Sequence, residues 1–451
     1  MENSMKMIHK IPFSELNIWD VKSFFHQADV FSDKHPIVLF GEFLSKPQIE
    51  KIKIEDSGEY KILGARSYGK GVFVNRIVKG STLKMRTYQQ AKENHLFWCK
   101  VDTKNGAFGI ITEDLADGVG SSNMTFAKIE TDKANPEYVQ LLFGSNKVNQ
   151  YMDGYVSGTT NRKYIKPDQL RDEIKIPLPL LKEQNRIVAN YNERIKLASS
   201  QEKQSNQLEK DIEQYISKIL GLEPLQEKEY KKGLQFISLK NLDRWDVLAK
   251  DLRILNGLNT SKYDLKKIGN VFNFPSKSWK KKQYKESSFR YIELGAIDEN
   301  FGVTKVKEIE LKNAPSRATQ QVSKGDLIIG TTRPYLKRFA IIEEKNDQDI
   351  CSSGFSVIEP NEKYDLNYLK EFLMSYYGIE QLKNRMTGGT YPAITNTELK
   401  EILIPFPNPS IQKEIGKQIR DLKQEIRDLK TASEQNRNLA IKEFEQEIFK
   451  D

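Results

Sequence analysis

Histidine and cysteine are scarce in this chain: four histidines (His9, His26, His35 and His95) and two cysteines (Cys99 and Cys351) are spread over 451 residues. All four histidines lie in the first half, no C-x-x-C is present, and no metal-ligand spacing links these residues, so neither a zinc site nor a disulfide framework is expected. The cysteines read as reduced, buried thiols of a cytoplasmic protein, and the histidines as structural or surface residues. No apolar run is long enough to span a bilayer, and Met1 to Lys10 is mixed and polar, which points to a soluble intracellular chain. The phosphate-cradling pattern G-x-x-x-x-G-K-[ST] and the dinucleotide pattern G-x-G-x-x-G are both missing, so no nucleotide-driven or S-adenosylmethionine chemistry is expected of the chain itself. Charge is abundant, with 71 basic and 62 acidic residues giving a net +9, a balance that favours a polyanionic partner.

Repetition is the main positive feature. Trp19-Asp20-Val21 returns as Trp245-Asp246-Val247, and from Ile37 to Ser122 the two halves align without a gap at a shift of 231. That register pairs Phe43 with Phe274, Ser45-Lys46 with Ser276-Lys277, Leu63-Gly64-Ala65 with Leu294-Gly295-Ala296, and Phe108 with Phe339. It closes to 228 where Ile176-Pro177-Leu178-Pro179 matches Ile404-Pro405-Phe406-Pro407. A fold used twice faces two copies of a ligand, or two related ligands.

Each half opens with the Trp-Asp-Val element and continues into a mixed domain with short strand candidates such as Lys61 to Ala65, Leu96 to Cys99 and Leu327 to Ile329. A helix is predicted from Pro136 to Met152 and again from Leu366 to Met386, and Asn135-Pro136 and Asn408-Pro409 read as helix starts. After each Pro-x-Pro stop comes a run of about 40 residues with three-four apolar spacing, roughly 60 Å long if wholly helical. One such run carries Ile187, Tyr191, Ile195, Ile212 and Ile219, and the other Ile411, Ile415, Ile419, Ile426, Phe444 and Ile448. Stripes this thin need a partner, so the two helices are expected to pack antiparallel, with the polar middles 199–207 and 431–438 facing each other. The fold class is therefore α+β: two tandem mixed α/β domains separated by two long antiparallel coiled-coil helices with pseudo-twofold symmetry.

Shared positions are mostly small and apolar, whereas polar loops diverge: Lys100 to Gly106 faces Thr331 to Lys337, and Arg66 to Lys70 faces Ile297 to Phe301. Arg, Lys, Asn, Thr and Tyr on a constant frame suit two sites that read different ligands, since such side chains contact phosphates and base edges. Taken with Tyr60 to Phe73, Asn105 to Gly109, Gly325 to Ile329, and the module Gly389-Thr390-Tyr391-Pro392-Ala393-Ile394 leading into Ile404-Pro405-Phe406-Pro407 and Gln412, the chain resembles the specificity subunit of type I restriction-modification systems. The first copy of the module, Gly158-Thr159-Thr160-Asn161-Arg162-Lys163-Tyr164-Ile165, departs by lacking the proline but leads into Pro177-Leu178-Pro179 and Glu183-Gln184.

The resemblance implies target-recognition domains over 1–176 and 223–404, a central helix over 177–222 and a C-terminal helix over 405–451. It implies no catalysis by this chain. It implies double-stranded DNA as the ligand, with an asymmetric bipartite target, and two modification subunits that methylate adenine with S-adenosylmethionine. Restriction and translocase subunits driven by ATP and Mg would complete the assembly, and no membrane is involved. Candidate DNA contacts are Lys46, Arg66, Tyr68, Lys70, Lys104, Asn105, Asn161 and Arg162 in the first domain. In the second they are Lys277, Thr331, Thr332, Arg333, Tyr335, Thr390 and Tyr391. Lys46 and Lys277 are expected to do one shared job, a phosphate contact. Two alternatives stay open: a coiled-coil adaptor with no nucleic-acid role, and a single-chain DNA methyltransferase or nuclease with an unrecognised active site.

Overall fold

The computed structural model describes residues 30–67, 69–100, 106–153, 155, 165–223 and 252–450. Both Trp-Asp-Val elements lie outside the described residues. The chain forms two compact units that are not contiguous in sequence: Met1–Ser199 with Glu434–Asp451, and Ser200–Ser433. Each unit therefore holds one mixed domain together with parts of both long helices.

In each unit a two-stranded antiparallel ladder joins the start of the domain to its end. Ile37–Leu39 pairs with Lys175–Pro177, and Leu265–Lys267 pairs with Leu403–Pro405. The central sheets repeat as well. In the first unit, His95–Cys99 lies between Phe108–Ile110 and Met124–Ile129, pairing Leu96 with Ile110 and Phe97 with Phe126. In the second, Leu327–Gly330 lies between Phe339–Ile341 and Phe355–Ile358, with Leu327 opposite Ile341 and Ile328 opposite Val357. Every one of those partners is displaced by 231, so the duplication extends to strand register. Unusual backbone repeats too: Asn94 (φ 57°) corresponds to Gly325 (φ 88°), and Gly106 (φ 60°) to Lys337 (φ 52°).

The gap-free alignment fails at its beginning. The amide of Phe40 donates to Ile174 O and that of Ile268 to Ile402 O, while Phe43 N–H donates to Phe40 O and Val271 N–H to Ile268 O. These contacts repeat at 228, so Phe43 corresponds to Val271 and not to Phe274. Identical residues also fold differently: Leu63-Gly64-Ala65 ends the strand Glu59–Ala65, but Leu294–Ala296 is a 3-10 turn. A three-residue match carries too little local preference to overrule its surroundings.

Both predicted domain helices are broken in two, Pro136–Gly144 with Asn146–Asp153, and Leu366–Met374 with Tyr376–Arg385. Ser145 and Ser375 stand at the breaks. Ser375 has extended backbone, its amide closes the first helix on Glu371 O and Phe372 O, and its side chain accepts from Gly378 N to start the second. A serine at such a junction satisfies terminal groups that a continuous helix would have paired internally. Asn135 and Asp365 cap the leading helices, each accepting two backbone amides.

The long helices are unbroken, Leu181–Leu220 and Pro409–Ile448, and Gly221 (φ 73°) ends the first. Within the first unit Arg186 meets Glu447 at 3.0 Å and Arg194 meets Glu443 at 2.6 Å, so position rises along one helix as it falls along the other. The helices are antiparallel, as expected. Within the second unit Glu209 meets Lys430 at 2.7 Å.

Apolar burial binds each domain to both helices. The first core runs from Phe40, Trp98 and Tyr138 into Ile187, Val188, Phe444 and Ile448. The second runs from Ile268, Tyr368 and Ile404 into Ile212, Ile216, Ile415 and Ile419. Two buried tyrosines close corresponding seams, Tyr138 Oη donating to Pro177 O at 2.9 Å and Tyr368 Oη to Pro405 O at 2.6 Å. Gln184 and Gln412, both fully buried, tie helix to domain by donating to Pro179 O and Pro407 O while accepting from Asn135 N and Asp365 N.

Of the cysteines, Cys351 is buried, and burial pushes its thiol up to about 12, while Cys99 is only half-buried. His95 is buried as a structural residue, its Nδ1 3.0 Å from Glu93 O, and desolvation holds its pKa below the ordinary value. Among the described residues no helix is long and apolar enough to cross a membrane, and no cluster of His, Cys, Asp or Glu could hold a metal ion.

Candidate nucleic-acid interface

Two loops nominated separately in the sequence are stitched together in the second unit. Thr331 follows the strand Leu327–Gly330 and is fixed by its amide and hydroxyl, both donating to Gly354 O at 2.8 Å. Its own carbonyl accepts from Ile394 N at 3.0 Å, Thr332 bridges Ala393, and the amide of Arg333 donates to Pro392 O at 2.8 Å. The module 387–393 is closed by a reciprocal Thr387–Ala393 pair at 2.8 and 2.9 Å. Six candidates, Thr331, Thr332, Arg333, Tyr335, Thr390 and Tyr391, thereby share one surface of linked loops.

Arg333 is the centre of that surface. Its Nη2 donates to Thr390 O at 3.1 Å and its guanidinium lies 5.0 Å from the centre of the Tyr391 ring. Its backbone is left-handed (φ 49°, ψ 58°), as is that of Lys337 (φ 52°, ψ 35°), and between them Pro334–Leu336 makes one 3-10 turn. A left-handed conformation costs an L-residue with a side chain about 1 kcal/mol or more, and such outliers concentrate at binding sites. The turn presents Tyr335 and Leu336, and the neighbouring loop Tyr391, the last 70 % exposed. A pre-oriented guanidinium beside exposed aromatic and aliphatic groups can take a guanine edge in a bidentate pair and pack on a thymine methyl.

A polar groove of about 610 Å³ adjoins the loops, lined by Thr331, Ser353, Thr395 and Asn396 on one side and Ser276 to Ser278 on another. Ser353, Thr395 and Asn396 were missed in the sequence, where only their closeness to Thr331 and the module could have singled them out.

In the first unit Arg66 and Lys70 are exposed in the turn after Glu59–Ala65, with the Arg66 guanidinium 4.8 Å from the Phe73 ring centre and its amide donating to Gly71 O at 2.9 Å. Gly69 (φ 60°) holds the turn by donating to Gly106 O, and Gln140 donates to Gly69 O. A Cβ on Gly69 would come within 2.3 Å of Phe143 O, so glycine is required there. Tyr68, Lys104, Asn105, Asn161 and Arg162 lie outside the described residues.

The expected equivalence of Lys46 and Lys277 does not hold. Lys46 is an exposed side chain 3.5 Å from the exposed Asp168. Lys277 is mostly buried between Asp326 (3.4 Å) and Glu359 (3.1 Å). Burial acts to lower its pKa, yet Glu359 and Asp326 outweigh it and raise the ammonium above its ordinary value. The shift of 228 over this stretch explains the mismatch, and the Lys277 ammonium is spent on the scaffold.

The comparisons agree with this architecture. The family model described as "Type I restriction modification DNA specificity domain" matches twice, over residues 40–210 and 260–437, and the chain belongs to that family. Among curated relatives, the chain is 29% identical over 108 residues to the type I restriction enzyme HindI specificity subunit of Haemophilus influenzae, covering 23% of this chain and 24% of that one. It is 28% identical over 187 residues to the MjaIX specificity subunit of Methanocaldococcus jannaschii, covering 38% and 40%. The matched stretches thus span well under half the length of either relative. A chain of a solved structure titled for complex assembly and conformational transition of the type I R-M system superposes with a TM-score of 0.55, at 15% identity over 92% of this chain and 97% of that one, a likeness of fold.

Proposed function

We propose that this chain is the DNA-recognition subunit of a type I restriction-modification assembly, and that its two domains read two different half-sites of one asymmetric target. The joining of loops 331–337 and 386–394 around Arg333 carries the reading: two segments of the divergent, polar part of the repeat form one pre-organised surface with the donor chemistry of base readout. In this reading Arg333, Thr331, Thr332, Tyr335, Thr390 and Tyr391 serve the second half-site. Arg66, Lys70, Tyr68, Lys104, Asn105, Asn161 and Arg162 serve the first, and Lys46 lies on the phosphate backbone. The family membership and the absence of a cofactor motif in the sequence favour a division of labour in a cytoplasmic complex. Two modification subunits supply S-adenosylmethionine chemistry, and restriction subunits supply ATP- and Mg-dependent translocation. The test is methylome sequencing of cells expressing the chain with and without its modification subunits. Adenine methylation at one bipartite sequence should require both, and methyl transfer by the purified single chain would refute the division.

A further inference from the structure

The second domain carries a basic arm that no sequence motif marked. Residues 279–285 read Trp279-Lys280-Lys281-Lys282-Gln283-Tyr284-Lys285. The arm is anchored by aromatic packing: Trp279, 8% exposed, lies 5.4 Å from Tyr284 and 4.9 Å from Phe289, centre to centre. Its backbone is tied down by Trp279 N–H donating to Thr319 O at 2.7 Å and by a 3-10 turn at Lys281–Gln283. Lys281 donates to Lys312 O at 3.0 Å. Lys280, Lys282 and Lys285 are exposed, and among the described residues none of the three makes an ion pair. Three exposed ammonium groups within six residues of chain offer concentrated positive charge to an anion.

The arm's place in the fold gives it a ligand. It leaves the sheet at Ser278, which bridges Gln320, and Lys277 and Ser278 line the same 610 Å³ groove as Thr331, Ile394 and Thr395. The first domain differs at this place. There Lys51 pairs with Gln89, the residue corresponding to Gln320, and the chain continues Ile52-Lys53-Ile54-Glu55-Asp56, so that Lys53 matches Lys280 but Glu55 stands where the second domain has Lys282.

We propose that Lys280, Lys282 and Lys285 form a sequence-independent phosphate clamp on the second domain, which grips the duplex backbone flanking the half-site read by the Arg333 loops. The proposal rests on the DNA-recognition reading above. Ammonium groups on long flexible stems are point charges that follow a phosphate without reading a base, and each engaged contact releases a counterion. Three contacts steepen the logarithmic dependence of affinity on salt by about 2.7.

The assembled complex with modification subunits should be titrated with cognate and scrambled duplexes over a salt series, as wild type and as K280Q/K282Q/K285Q, which leaves Trp279, Tyr284 and Phe289 in place. The triple variant should show a shallower slope by about 2 to 3, weaken on both duplexes by the same factor, and methylate the unchanged target sequence. An unchanged slope overturns the clamp, and so does a changed ratio of cognate to scrambled affinity, which would make the arm a base reader. Loss of assembly with undiminished DNA binding assigns the arm to an acidic subunit surface instead. Wild-type complex that binds no duplex in a salt-dependent way removes the DNA reading itself, a result separable from all of these.

Discussion

Removing either partner of the buried Glu371–Lys423 pair should damage the second unit far more than an ordinary ion pair would. Glu371 is 2% exposed on the helix Leu366–Met374, and Lys423 is 7% exposed on the helix Pro409–Ile448. The Lys423 ammonium lies 2.5 Å from Glu371 Oε2, with Lys370 3.0 Å from the other oxygen. Burial acts to push the Glu371 carboxyl up, but Lys370 and Lys423 outweigh it and hold it below its ordinary 4.5. Glu371→Leu takes the nearest carboxylate from the buried Lys423 ammonium, at a cost of about 3 to 5 kcal/mol. For a body the size of Ser200–Ser433 that is a fall in melting temperature of about 6 to 20 °C. Glu371→Leu combined with Lys423→Met should recover most of the loss, because neither charge remains and Lys370, at the margin, can turn to solvent. Urea and thermal unfolding followed by circular dichroism measure all three variants. The pH sign is fixed by the lowered carboxyl: its contribution is complete above the unfolded value near 4.5 and is lost as pH falls through the lower folded value, so wild type and Glu371→Leu should converge in acid. Should Glu371→Leu cost less than about 1 kcal/mol, the range of an exposed pair, or the double variant be no better than the single, the pair does not anchor this domain to its helix.

Three further outcomes are expected. Arg333→Ala should reduce discrimination at one base position of one half-site by about 1 to 3 kcal/mol, read by competition binding against single-base variants, whereas equal loss on every sequence would make Arg333 a backbone contact. Tyr138→Phe and Tyr368→Phe each remove a buried hydroxyl and leave a proline carbonyl short of a donor, so each should cost about 1 to 3 kcal/mol in denaturant titrations, with similar losses in the two units. Gly106→Ala should destabilise, since φ is 60° and a Cβ would lie 2.6 Å from Asn149 Oδ1, while Lys337→Gly at the corresponding place should gain up to about 1 kcal/mol, and the opposite pair of signs in thermal melts would break the correspondence.

Much of the architecture is written in local pattern. Three-four apolar spacing specified two helices of 40 residues and their need for partners, because a stripe of that width is insoluble unless covered. The duplication specified two domains on one frame, and the divergence of Thr331 to Lys337 from Lys100 to Gly106 drew attention to the loop that carries Arg333. Family resemblance rested on the same residues and was matched over both halves. What sequence could not supply was decided by contacts between distant segments. The helix breaks at Ser145 and Ser375 depend on which carbonyls their amides reach. The three-residue slip that separates Lys46 from Lys277 is invisible where identical Ser-Lys pairs happen to align. The meeting of Arg333 with Pro392, Thr390 and Tyr391 joins residues more than 50 positions apart, and it exists only because the sheet, the left-handed turn and the module close on one another. Local preference fixes which elements form, but a surface made of two joined loops is a property of their packing, and packing is set by the whole fold.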